Sequence, residues 1–85
     1  MKKKIGIAVL GLGWMGQAHS RSMLRIPSLF PNRSFDPVLV VCADTEQERR
    51  DRAVNDFGFQ RAVADWREAI ESEDVDVVWV TAPNM

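Results

Sequence analysis

The chain has one cysteine, Cys42, and one histidine, His19, among its 85 residues. A disulfide needs two thiols and a structural metal site needs three or four ligands, so an internal disulfide and a Cys/His metal centre are excluded by count. A lone thiol also fits a reducing compartment. Excess charge is lacking too. Eleven basic and 12 acidic residues leave a net charge of −1, which gives no electrostatic footprint for nucleic acid or for a polybasic contact with a membrane. No apolar run approaches the ~18 residues of a membrane span. Lys2, Lys3 and Lys4 precede the apolar residues 5–10, but Gly6 interrupts that run and Gly11, Gly13 and Gly16 follow it in place of a cleavage site, so it does not read as a signal peptide. The expected location is cytoplasmic. With 46% apolar and 27% charged residues, the chain reads as a single soluble globular unit, residues 1–85.

What is present alternates. Residues 5–10 form a nearly continuous apolar run, the pattern of a strand buried on both faces of a parallel sheet. After a glycine-rich turn, Met15, Ala18, His19, Ser22, Met23 and Ile26 recur at helical spacing, with Gln17, Arg21 and Arg25 on the opposite face. This predicts a helix of about three turns that stops before Pro27. Residues 27–37 hold three prolines and predict a long loop anchored by Phe30 and Phe35.

Residues 38–43 are a second buried strand ending at Asp44. Thr45 and Glu48 have capping-box spacing. Glu46–Arg50 and Glu48–Arg52 have i,i+4 spacing on the charged helix that follows. Ala53, Val54 and Phe57 give that helix a thin buried stripe, and Gly58 is placed to cap it. Residues 59–63 are a weak third strand. Asp65 and Glu68 open a short helix with Trp66, Ala69 and Ile70 on one face. Residues 75–80 are a fourth strand. Trp66, Trp79 and Cys42 are expected in the core, and His19 is expected to be packed.

Beyond this alternation there is no internal repeat. The predicted class is α/β, a Rossmann-type parallel sheet with strand order 3-2-1-4, the front part of a doubly wound dinucleotide-binding domain. The fourth strand would leave an apolar edge at residues 75–80, where self-association is expected. An ending directly after that strand reads as the front of a longer protein.

Three places carry chemistry. Gly11-Leu12-Gly13-Trp14-Met15-Gly16 matches G-x-G-x-x-G between a strand and a helix. Gly11 allows the tight turn, Gly13 lets a pyrophosphate approach the backbone, and Gly16 lets the helix pack on the strand. The free N–H groups and positive dipole end of the helix would hold the phosphate charge. Trp14 either covers those phosphates, contacts a further domain, or is simply exposed. Asp44, at the end of the second strand, can accept both hydroxyls of an adenosine ribose and would repel a 2′-phosphate, so NAD is expected over NADP. It can also serve the start of the next helix. Gly13 and Asp44 are 31 positions apart, against a usual ~20, and the loop at 27–37 is the expected cause. Thr81, Ala82, Pro83 and Asn84 lie past the carboxyl end of the fourth strand, beside the nicotinamide end of a dinucleotide in this fold.

Together these residues resemble the Gfo/Idh/MocA family of nicotinamide-dependent oxidoreductases, over essentially the whole chain. The resemblance rests on the glycine motif with His19, on Ala43-Asp44 and the charged helix after it, and on Asp65-Trp66-Arg67-Glu68. It continues in Asp74-Val75-Asp76-Val77-Val78 and ends in Thr81-Ala82-Pro83-Asn84. The last two are similar to the family's D-x-D-x-V and T-P-N signatures, here with alanine inserted after Thr81. The resemblance implies hydride transfer between NAD and a sugar or polyol hydroxyl. It also implies a separate substrate domain and a catalytic lysine that would both lie beyond residue 85. This chain alone would then bind cofactor without turnover. Two other readings stay open: an NAD-dependent glycoside hydrolase of the same family, and a non-catalytic nucleotide-binding regulator.

Overall fold

A computed structural model of the chain describes residues 3–81. Its elements run β1 (Lys3–Leu10), α1 (Trp14–Leu29), β2 (Phe35–Ala43), α2 (Gln47–Asn55), β3 (Arg61–Val63), α3 (Trp66–Ile70) and β4 (Val77–Val80). All strand pairs are parallel and the order is β3-β2-β1-β4, as expected from the alternation.

The two apolar runs do what their continuity predicts. Ile7 and Val9 of β1, with Leu39 and Cys42 of β2, point to one face, where they pack with Leu12, Ala53, Phe57 and Phe59. Ala8 and Leu10, with Val40, Val41 and Ala43, point to the other and meet Ala69 of α3. The adjacent residues Val40 and Val41 share a face because the β1–β2 register slips between Ile7 and Ala8. One extra residue on β2 breaks the alternation there, as a bulge does. Burial pushes the Cys42 thiol up to about 12, with the nearby Asp44 charge adding to the effect, so the group stays protonated and acts as a small apolar side chain.

Several local expectations are corrected. Helix α1 does not stop before Pro27 but continues to Leu29, closed by the Phe30 N–H donating to the Ile26 carbonyl. Pro27 lies in the last turn, where one missing N–H does not end the helix. The predicted loop shrinks to residues 30–34, and Pro37 lies inside β2. That position is tolerated because β3 pairs β2 only from Val41 onward, so Pro37 has a neighbouring strand on one side alone. Phe30 and Phe35 are exposed around an apolar hollow at the amino ends of the strands and do not anchor the loop.

On α1 the buried positions are Gly16 and Ser20, while Met15, Ala18 and Ser22 are exposed. Arg21 and Arg25 are exposed as expected, Arg21 lying over the Phe57 ring, whereas Gln17 is half-buried and accepts from Arg52 of α2. The capping box at Thr45 and Glu48 does not form. Glu46 is the N-cap of α2, without a side-chain bond. The local ion pairs along α2 and its ends are Arg49–Glu46 and Arg52–Asp56, and Arg49 also faces Asp44. Val54 is exposed. Gly58 does take a positive φ of 79° just past the helix, and Asp65 does cap α3 by accepting from the Arg67 N–H. Trp66 is exposed with Arg67 over its ring, and Trp79 is half-buried against His19, their ring centroids 4.9 Å apart.

The D-x-D pair of the sequence is structural. Asp76 holds Gly6 twice: its carboxylate accepts from the Gly6 N–H at 2.7 Å and its own N–H donates to the Gly6 carbonyl at 2.7 Å. Asp74 takes both guanidinium nitrogens of Arg61, at 2.9 and 3.2 Å. This fork holds the Asp74 carboxyl below its ordinary 3.8. A depressed carboxylate contributes stability above its unfolded value and loses it as pH falls through the folded one. Asp74→Asn is therefore expected to flatten the acid limb of the stability curve, with mutant and parent urea midpoints separated at neutral pH and converging as the pH falls through the depressed carboxyl value. Among the described residues the outer side of β4 has no neighbouring strand, and Val77, Val78 and Val80 are exposed along it.

Candidate functional site

The carboxyl ends of β1, β2 and β4 converge on the glycine turn. Leu12, inside the turn, is fully buried in the α1/α2 face of the core and ties the turn down. Its N–H donates to Asp44 Oδ2 at 2.8 Å, and the Gly11 N–H donates to the Ala43 carbonyl at 2.7 Å. The end of β2 thus holds the turn from one side. Thr81 holds it from the other, its hydroxyl lying 2.7 Å from the Gly11 carbonyl oxygen and 3.1 Å from that of Leu10. This hydroxyl, read from the sequence as a cofactor contact, has its donor turned toward the protein. Ala82, Pro83 and Asn84 lie outside the described residues.

The three glycines of the motif differ in why they are needed. Gly11 has a φ of 96°, in the region that disfavours other residues. A Cβ on Gly16 would lie 2.1 Å from the Gly11 carbonyl oxygen and 2.9 Å from Thr81 Oγ1, so no side chain fits between α1 and the turn. Gly13 differs from both. Its φ is −76°, which any residue adopts, and a Cβ there would meet nothing within 4 Å. Nothing in this chain asks for glycine at that position, and the free space above it is what a close-approaching ligand requires.

Helix α1 is open electrostatically. No side chain caps it, and its first turn carries no acidic residue, whereas the first turns of α2 and α3 carry Glu48 and Glu68. The first N–H groups of a helix have no partner inside it, so those at Trp14, Met15 and Gly16 remain for an anion. Met15 is exposed, and Trp14 is 81% exposed beside the turn.

Asp44 is the buried carboxylate of the site, its side chain 5% exposed. Besides the Leu12 N–H at Oδ2, its Oδ1 accepts from the Glu46 N–H at 2.9 Å, which shapes the entry to α2. Each oxygen of a carboxylate has a second lone pair, so the group can still accept from a hydroxyl. The 31 residues from Gly13 to Asp44 are the long α1, the short link at residues 30–34 and the nine residues of β2, so a longer helix, not an inserted loop, accounts for most of the distance. Two arginines of α2 also reach this point. Arg49 Nη1 is 3.7 Å from Asp44 Oδ2, and Arg50 Nη1 donates to the Asp44 carbonyl at 2.8 Å. Their spacing from Asp44 gave no hint of this, because it depends on where the helix starts. Among the described residues there is no cluster of His, Cys, Asp and Glu fit for a metal ion.

Residues 5–85 match the model of the Gfo/Idh/MocA oxidoreductases, described as an oxidoreductase family with an NAD-binding Rossmann fold. The chain belongs to this family. Levoglucosan dehydrogenase from Pseudarthrobacter phenanthrenivorans is 33% identical over 82 residues, which is 96% of this chain and 21% of that protein. A solved structure of levoglucosan dehydrogenase with NADH superposes with a TM-score of 0.88, at 33% identity, over 96% of this chain and 22% of that one. An NAD-binding oxidoreductase from Klebsiella pneumoniae gives 0.85 at 36% identity, over 95% and 22%. This Gfo/Idh/MocA chain thus spans about a fifth of the length of the relatives it matches.

Proposed function

We propose that this chain holds NAD for a dehydrogenase that takes hydride from a hydroxyl-bearing carbon of a sugar or polyol, the hydroxyl proton going to a base. The observation that carries the reading is Gly13, a glycine with an unstrained backbone and empty space where its side chain would be, at the uncapped end of α1. The N–H groups of residues 13–16 bind the pyrophosphate, and Asp44 accepts the ribose hydroxyls, which favours NAD over NADP. Bound there, the dinucleotide supplies the hydride acceptor. This chain's own residues contribute orientation, which in hydride transfer is itself a source of rate. Lys3 and Lys4 sit at the amino end of β1, opposite the site, so the proton acceptor of the reaction is assigned to chain beyond residue 85. The sugar class is supported by levoglucosan dehydrogenase, solved with NADH and levoglucosan and with NADH and L-sorbose. Ala82, Pro83 and Asn84 are assigned to the nicotinamide side, and the outer edge of β4 to pairing with a further strand.

The test is an amide proton–nitrogen NMR titration of the chain with NAD. Shifts confined to Leu12, Gly13, Trp14, Met15, Gly16 and the Asp44–Glu46 corner are expected. A folded chain whose amides ignore millimolar NAD would overturn the reading.

A further inference from the structure

The carbonyl groups of the glycine turn are held from the protein side. That of Gly11 accepts from the Thr81 hydroxyl at 2.7 Å, and that of Gly13 accepts from the Gln17 N–H at 3.0 Å, the first bond of α1. The Leu12 carbonyl is held by a side chain on the helix itself: Gln17 Nε2 donates to it at 3.2 Å. Long side chains on a helix lean back toward its amino end, which lets Gln17 reach past the start of α1 to a residue five positions earlier.

This bond fixes more than one oxygen. A trans peptide is planar and carries its C=O and N–H on opposite sides. Holding the Leu12 carbonyl against Gln17 therefore aims the Gly13 N–H the other way. Asp44, which accepts from the Leu12 N–H, fixes only the plane before it. The plane between Leu12 and Gly13 needs a restraint of its own. Flipping it changes ψ of the residue before and φ of the residue after, and a glycine accepts φ of either sign. The residue that a closely approaching pyrophosphate calls for is thus also a weak hinge. A flipped plane would offer that pyrophosphate a carbonyl oxygen in place of an N–H.

The Gln17 amide is itself oriented. Its Oε1 lies 3.4 Å from Arg52 Nη2 of α2 and 3.4 Å from Arg21 Nη2 one turn along α1. Guanidinium groups only donate, so the oxygen faces them and the NH2 group is left for the Leu12 carbonyl. We infer that Gln17 is a positioning residue for the dinucleotide: it locks the Leu12–Gly13 peptide plane with the N–H, not the carbonyl, on the ligand's side, and Arg21 and Arg52 hold it in the orientation to do so. This role rests on the reading of the glycine turn as the pyrophosphate site.

The experiment compares the full chain with Gln17→Met and Gln17→Glu. Methionine keeps the length without charge or donor. Glutamate keeps the length and an acceptor for both arginines, but at neutral pH it has no donor. Each chain is titrated with NAD by calorimetry, unfolded in urea, and followed by NMR at the Leu12 and Gly13 amides. Gln17→Met is expected to bind NAD about fivefold or more weakly. Before any NAD is added, its Gly13 amide is expected to be exchange-broadened or to show a changed Overhauser effect to the Leu12 Hα. Gln17→Glu is expected to unfold no earlier than the parent, because Glu four residues before Arg21 is a favourable pair, and yet to bind NAD at least as poorly as Gln17→Met. Stability kept and affinity lost is a pattern that a mere bridge between α1 and α2 does not give. A Gln17→Met chain that binds NAD within about twofold of the parent overturns the role of Gln17 and leaves the NAD reading standing. So does one that binds weakly while its Gly13 amide is unchanged in position, width and Overhauser effect. If Gln17→Met does not fold, the Gly13 amide of Gln17→Glu decides by the same criterion. A folded parent chain that ignores NAD overturns both readings.

Discussion

Replacing Gly6 by alanine is expected to cost about 3 kcal/mol or more, enough to leave a domain of this size largely unfolded. The added Cβ would lie 1.9 Å from the Asp74 carbonyl oxygen, 3.0 Å from its carbon and 3.2 Å from Val40 Cγ2. The first two are backbone atoms, so no rotamer change relieves the contact. The segment before β4 would have to withdraw. Withdrawal breaks both bonds between Gly6 and Asp76 and strains the pairing of β4 with β1, which begins at Ile7 and Val77. Urea unfolding followed by far-ultraviolet circular dichroism measures the effect. A midpoint within about 0.5 M of the parent would show that the β4 segment can move aside at little cost.

Gly13→Ala is expected to do the opposite: keep the fold and abolish the binding. Its φ of −76° suits alanine and the new methyl would touch nothing in the chain. The stability change should stay below about 1 kcal/mol, the scale of an unfavourable N-cap residue. The methyl would instead occupy the space through which a pyrophosphate reaches the backbone. NAD affinity should fall about 100-fold or more, near 2.7 kcal/mol. Unfolding midpoints and calorimetric titration, run on the same preparation, separate the two effects. An alanine variant that unfolds like the parent and binds NAD like the parent would mean that the open space over Gly13 belongs to no ligand.

Much of this architecture could be read from residue order. Two nearly continuous apolar runs, Ile5 to Leu10 and Val38 to Ala43, specify strands covered on both faces, and strand–helix alternation then leaves few ways to stack them. The glycine motif between β1 and α1 marked the site, and Asp44 at the end of β2 marked its second wall. What escaped reading was decided by contacts distant in sequence. Pro27 is a local stop signal, but the helix carries on for two more residues because its closing turn still makes the Phe30–Ile26 bond. The capping box failed because Asp44, already drawn to the Leu12 N–H, also took the Glu46 N–H and set a different start for α2. Gly6 was the one missed signal with a local clue, since a glycine inside a buried strand often marks a close backbone approach. The role of Thr81 had no such clue. A threonine after a strand reads the same whether its hydroxyl faces a ligand or, as here, the Gly11 and Leu10 carbonyls.

The Thr81 clamp also orders events in time. It joins residues 70 and 71 positions apart, as the Asp76–Gly6 bond does at 70. The glycine turn leaves the ribosome well before the group that locks it is made, because Thr81 follows Gly11 by 70 residues. At about 5–20 residues per second, the wait is several seconds or more, and the exit tunnel lengthens it. During that interval the first strand carries apolar side chains on both sides and has no β4 to lie against. A nascent chain should therefore gain its affinity for NAD abruptly, when the fourth strand docks, and not gradually as the turn and first helix appear.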